Sequence, residues 1–276
     1  MHQGSEPTSA PDPDRLDRAI AAWADWYVRM GVVDALEGAG VDRRRAEAPP
    51  AATLARSRGE TAMPPRRPPA AAGGEQVQHA RALAQACSTI TELAAVLETF
   101  DGCPLKRTAT RLCFADGNPE ARLMLIGEAP GAEEDRLGKP FVGPSGQLLD
   151  RMLAAIGLDR RAVWITNTIF WRPPGNRPPT ATEIAVCQPF LERQIELIRP
   201  ARLLFLGGSA ARGLLEVTEG VTKLRGRPYT YQPADGPPIS AAITFHPAYL
   251  LRQPAQKRLV WRDLLTMRQQ LAGHGV

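Results

Sequence analysis

The residues of this chain best placed to do chemistry fall in three short segments. The first is Gly127-Glu128-Ala129-Pro130-Gly131, followed by Glu133, Glu134 and Asp135. Two glycines around a proline force a tight turn that brings backbone close to a ligand. Four acids near one turn would repel phosphate, and the lysine of a P-loop is missing, so this is not a nucleotide cradle. Carboxylates at such a turn suit activation of water or stabilisation of a cationic transition state. Glu133 and Asp135 read more simply as acids at a helix start, favoured by its dipole. Glu128, inside the turn, does not.

Lys139-Pro140-Phe141-Val142-Gly143-Pro144-Ser145-Gly146 comes next. A Phe in so Gly- and Pro-rich a loop is either a loop anchor or a stacking platform for a flat ligand. Ser145 and Gly146 open a helix whose backbone N–H groups suit a phosphate, although capping explains Ser145 equally well. The second segment ends in Thr166-Asn167, before an RPPGNRPP run (172–179). Asn offers one acceptor and two donors, enough to pair with the edge of a base, while a lone Asn more often caps a turn. The third is Phe245-His246-Pro247, continuing Ala248-Tyr249-Leu250-Leu251-Arg252. A lone His is more often structural than catalytic; its place just past an apolar run favours the second.

These segments need strand ends to hold them. Four short apolar runs, 122–127, 163–167, 203–207 and 241–245, alternate with helical patterns. The helices are expected at 81–100, from Ser145 to Ile156, from the Thr180-Ala181-Thr182-Glu183 capping box to about Ile198, from Ser209, and over 255–271. Residues 112–115, with Cys113, read as a further strand. Alternating strand and helix imply a three-layer α/β/α domain around a central four-stranded, mainly parallel sheet. Ligands in such sheets sit beyond the carboxyl ends of the strands, a rule that selects Glu128, Asn167, Gly208 and His246.

The chain has 276 residues, 43% hydrophobic and 23% charged, with a formal charge of +5. That suffices for one sizeable core and tilts only modestly toward a polyanionic partner. No apolar run would span a bilayer, no secretory signal is read at the N-terminus, and the four cysteines form no C-x-x-C pair, so a cytoplasmic protein with reduced thiols is expected. Residues 1–42 carry a helical pattern (Leu16, Ile20, Trp23, Tyr27, Met30) and read as a helical appendage. Residues 43–76, rich in Pro, Ala and Arg, read as a disordered linker, and residues 77–276 as the catalytic domain.

The segments GEAPGAEEDRLGKPFVG (127–143), TN…RPPGNRPP (166–179), C-x-P-F-L (187–191) and HPAYLLR…K…W-x-D-L (246–264) together resemble a family 4 uracil-DNA glycosylase. The resemblance covers roughly residues 103–271, with the motifs in order. It implies a monofunctional enzyme that hydrolyses the N-glycosidic bond of a flipped-out deoxyuridine, leaving an abasic site for base excision repair. It implies that Phe141 stacks on uracil, with Gly127 and Ala129 beside it. Asn167 would read the base edge and His246 would stabilise the departing anion. Glu128 and Glu134 would orient water or balance the sugar cation. Leu250 and Leu251 match the loop expected to fill the vacated stack. Ser145, Arg225, Arg227, Arg252 and Lys257, with Lys223 and Arg258 beside them, would meet the DNA backbone. The expected partner is uracil-containing DNA, with no membrane and a monomeric, nucleoid-associated bacterial protein. Two alternatives stand beside this: a broader glycosylase for hypoxanthine or xanthine, and a non-catalytic lesion-binding protein.

The sequence departs from the family at one point. The resemblance implies a [4Fe–4S] cluster held by four cysteines. Cys103 and Cys187 match two of those positions, whereas Phe100 and Trp171 occupy the others. The expectation is no cofactor, with apolar bulk in the cluster's place; the alternative is a cluster held by Cys103, Cys187 and other cysteines.

Overall fold

The computed structural model describes residues 70–272. The helical appendage and most of the linker lie outside the described residues. Helix α1 (Ala70–Ala86) begins inside the range read as linker. The single helix expected over 81–100 is two, α1 and α2 (Ile90–Thr99). The break falls at Cys87-Ser88-Thr89, where Thr89 caps Glu92 N–H (3.1 Å) and Glu92 accepts from Ser88 N–H (2.7 Å). A polar side chain offering the backbone this alternative outcompetes helix continuation.

Six strands form one sheet: β1 (Asp116–Gly117), β2 (Leu123–Gly127), β3 (Trp164–Asn167), β4 (Arg202–Leu206), β5 (Tyr229–Tyr231) and β6 (Ile239–Thr244), in the order β1-β3-β2-β4-β6-β5. The four expected strands are its centre, mutually parallel. Two short antiparallel strands close its edges. The first edge pairs at Asp116–Gly117 rather than at 112–115, although Cys113 is fully buried and its N–H reaches Phe170 O (2.9 Å).

β2 and β4 are buried at every position, as strands covered on both faces must be. On one face lie α1, α2, α5 (Ala181–Ile198) and α6 (Gly208–Leu215), which share a core with Met124, Ile126, Leu203, Phe205 and Ile243. On the other lie α4 (Pro144–Ala155) and α9 (Lys257–Ala272), burying Leu148, Leu149, Met152, Val260 and Leu264. The capping box of α5 is formed: Thr180 and Glu183 bond each other's backbone N–H, and Arg177 grips Glu183 at 2.6 and 2.9 Å. The short helices α3 (Ala132–Leu137), α7 (Val221–Leu224) and α8 (Pro247–Arg252) complete the unit. No helix among the described residues is long and apolar enough to cross a membrane.

Candidate active site

The carboxyl ends of β2, β3 and β6 open into a cavity of about 520 Å³. Glu128, Ala129, Glu134, Phe141, Ser145, Asn167, His246 and Arg252 all line it, so three segments far apart in sequence converge as expected. Gly127 and Asn167 are register partners at the ends of adjacent strands. A Cβ on Gly127 would collide with both the Asn167 amide oxygen and the Phe141 ring, so only glycine lets these two approach.

Asn167 is 1% exposed, and its Oδ1 has no hydrogen-bond donor. A buried carbonyl left unpaired costs on the order of 1–3 kcal/mol. Such a group calls for an explanation, and a ligand that donates to it from the cavity is one. Phe141 is buried at a φ of +54°, the left-handed region that bulky residues avoid. Its ring lies 5.5 Å from that of His246, tilted by 32°.

His246 caps α8, and its Nδ1 accepts the N–H of Ala248 (3.1 Å). Burial, aided by the Arg252 charge, lowers its pKa to about 4. The imidazole is therefore neutral at pH 7, and with Nδ1 accepting, Nε2 carries the proton.

Glu128 lines the cavity with its side chain half-buried, while its backbone O accepts from Thr168 Oγ1 (2.7 Å). Glu134 differs. Its Oε1 accepts the N–H groups of Val142 (3.0 Å) and Gly143 (2.9 Å), so this carboxylate holds the loop that follows Phe141. Asp135 clasps Thr110 and Arg111, and exposed Glu133 pairs with Arg136, structural roles as expected for helix-start acids.

Several residues expected at DNA do not reach the surface. Leu250 is fully buried on the inner side of α8, which leaves Leu251, 43% exposed, as the apolar residue available to a groove. Arg225 is drawn inward onto Asp263 (2.6 Å) and Leu259 O (2.8 Å), and Lys257 is buried. Arg227 lines a second cavity, away from this one. Ser145 and Arg252 remain at the cavity rim.

Two residues at the site carried no sequence signal. Tyr249 lines the cavity and packs on Phe245, ring centroids 4.9 Å apart. Arg160 lies beneath the loop and donates to the carbonyls of Phe141 and, at 3.3 Å, Pro140. It is one arginine among several in an ordinary turn, and only the fold brings it there.

A four-iron cluster does not fit the residues present. Cys103 and Cys187 meet at 4.0 Å, both inaccessible to solvent. Phe100 and Trp171, which the resemblance sets at the other two ligand positions, are 3% and 2% exposed, Phe100 packed at 5.1 Å on Phe190. Cys113 and Cys87 bond Glu134 O and Leu83 O instead. No group of three or more Cys, His, Asp or Glu gathers as a metal site among the described residues.

The central strand ends of a mainly parallel sheet thus bring a tight acidic turn, a buried Asn and a neutral His to one cavity. Residues 114–265 match the uracil DNA glycosylase superfamily, and the chain belongs to it. Its relatives include type-4 uracil-DNA glycosylases. That of Pyrobaculum aerophilum is 37% identical over 179 residues, 63% of this chain and 91% of its own. That of Archaeoglobus fulgidus is 41% identical over 157 residues, 55% and 78% of the two chains. A type-5 uracil-DNA glycosylase, also of Pyrobaculum aerophilum, is 34% identical over 121 residues, 38% and 53% of the two.

Proposed function

We propose that this chain hydrolyses the N-glycosidic bond of deoxyuridine flipped out of DNA, releasing uracil and leaving an abasic site. The observation that carries the reading is the buried, unpaired Asn167 Oδ1, in a cavity it shares with the Phe141 ring and the neutral His246.

A base inside a duplex must be extruded before its sugar bond can be reached, at a cost of a few kcal/mol. Phe141 offers a ring face to the extruded base. Asn167 Oδ1 accepts N3–H of uracil while its amide donates to O4. Cytosine has no N3–H and carries a donor at position 4, so it would leave the same oxygen buried and unpaired. As the C1′–N1 bond breaks, its electron pair goes to the base, and the negative charge spreads onto O2. The Nε2–H of His246 faces that oxygen. A neutral donor, preorganised in a site poor in water, stabilises such an anion without first giving up a proton.

The sugar becomes cationic and is captured by water, whose oxygen bonds C1′ while the proton it sheds passes to solvent and the uracil anion takes one up on release. Glu128, whose side-chain carboxylate has no protein hydrogen-bond donor among the described residues, balances that charge and orients the water. Glu134, both amides of the 142–143 segment bound to it, holds the loop. Leu251 is the apolar residue that supports the gap in the duplex, and Arg252 and the N-terminus of α4 at Ser145 meet phosphates. In the family's cluster region, Phe100 and Trp171 supply rigidity through packing.

The test is release of free base from oligonucleotides carrying uracil, hypoxanthine or xanthine, by the full chain and by Asn167→Ala and His246→Ala. Uracil release that falls by two or more orders of magnitude in both variants, with affinity for DNA nearly intact, is the expected result. Wild-type rates in both would overturn the assignment. Release of hypoxanthine or xanthine faster than uracil would move the reading to the broader glycosylase.

A further inference from the structure

The second cavity, of about 400 Å³, lies on the α9 face of the sheet at its β5 edge. Its floor is a row of polar residues across three strands. Arg202 pairs in register with Ser240, and Ser240 with Thr230. Residues that are partners in register project on the same face. The roof is α9, through Asp263, Thr266, Met267 and Gln270. Arg202 opens β4, four residues before Leu206, so it sits roughly 13 Å along the strand from the end that faces the candidate active site.

Arg202 is the anomaly. It is 8% exposed, yet its guanidinium has no hydrogen bond or ion pair among the described residues. Burial lowers its pKa, and no carboxylate is close enough to offset that. The nearest acid in the lining, Asp263, is already occupied by Arg225 (2.6 and 3.2 Å) and by the hydroxyl of Thr244 (2.6 Å). Its nitrogens are not sealed in the core but open to the cavity, so an anion entering there would supply the counter-charge and hydrogen bonds that a largely enclosed cation favours. The positive Arg227 stands at the mouth, 58% exposed and only loosely paired with Glu219 (3.9 Å). The lining also includes the apolar Ala242, Met267 and Pro228. One fixed fork of donors, hydroxyls in line with it and an apolar wall describe a small-molecule site with a single polar anchor.

We propose that this cavity binds a small oxyanion-bearing molecule, its phosphate or carboxylate group seated on the Arg202 guanidinium and the Ser240 hydroxyl. The guanidinium fork matches two oxygens of either group. The site is separate from the one that handles the base, and its occupancy is independent of base release.

The test uses the full chain at fixed ionic strength, titrated with inorganic phosphate and, separately, with succinate, followed by amide chemical shifts and calorimetry. Saturable binding is expected for at least one of the two, with shifts at Thr230, Ser240 and Ala241. The arm that saturates tells phosphate from carboxylate. Arg202→Met keeps the volume and removes the fork; it should weaken binding at least tenfold while releasing base at the wild-type rate. Equal binding by Arg202→Met, or no saturation by either anion, overturns the proposal. Should Arg202→Met not fold, the wild-type shifts decide alone. Shifts confined to residues around Asn167 and His246 would then overturn it.

Discussion

Arg160 donates to the backbone carbonyl of Phe141, and through that bond it holds a ring in a conformation the chain would not choose by itself. The guanidinium is anchored in turn by Asp116 and Asp150, each at 2.7 Å. From the other side, Gly146 presses its bare Cα against the same carbonyl, where any Cβ would collide. A non-glycine residue in the left-handed region costs on the order of 1–3 kcal/mol and persists only when its surroundings over-determine it. Here two elements do so, and the ring is fixed over Asn167.

Arg160→Ala should therefore lower kcat/KM for uracil release by about 10- to 100-fold, the equivalent of about 1.4–2.8 kcal/mol. Affinity for abasic product DNA should change little, since Arg160 acts on the base through Phe141. Single-turnover base release against product binding measures the split. A proportional loss of both would assign Arg160 to general folding instead.

His246 has a pKa lowered from 6.5 to about 4 by burial. Between those values the unfolded chain takes up a proton that the folded chain refuses. Stability is thus fully present above about 6.5 and falls as the pH drops toward 4, by about 3 kcal/mol in total. Thermal melting from pH 7 to pH 4 should show this loss, and His246→Ala should shrink it. Base release should show no inflection near pH 6.5, because the neutral imidazole persists well below it.

The two acids of the turn should separate cleanly. Glu128→Ala is expected to slow base release by at least tenfold with its melting temperature unchanged. Glu134→Ala removes the acceptor of one buried and one half-buried N–H group and should cost about 2 kcal/mol of stability. Glu134→Gln keeps an acceptor oxygen and should restore most of it. Chemical denaturation beside the base-release assay reads both effects.

At the cluster position, purified protein should carry no stoichiometric iron and no absorbance near 400 nm. Trp171→Ala should destabilise by about 3–5 kcal/mol, the range for emptying a large buried aromatic site. The double change Phe100→Cys with Trp171→Cys returns four thiols to the slot. After anaerobic reconstitution it should acquire the absorbance and the iron that the wild type lacks. A brown wild-type protein would refute the apolar replacement.

The sequence by itself determined the layered α/β class and the three converging segments. Apolar runs bounded by turn residues define buried strands, and a parallel sheet places ligands beyond their carboxyl ends whatever the details. Glu128, Asn167 and His246 follow from that rule alone, whereas Gly208, which it also selects, does not line the cavity. The edge strands were less legible: Asp116–Gly117 and Tyr229–Tyr231 are too short for a periodicity, and their pairing partners decide them. Only the tertiary structure told Leu250 from Leu251, because adjacent residues on a helix are turned about 100° apart and the direction of the core selects which is buried. The same holds for charge. Arg160, Arg225 and Arg202 look alike in the chain, yet one props the Phe141 loop, one is locked to Asp263, and one lines the second cavity. A side chain's role depends on which partners folding brings within reach, and those partners lie from 10 to 44 residues away for Arg160 and 38 for Arg225.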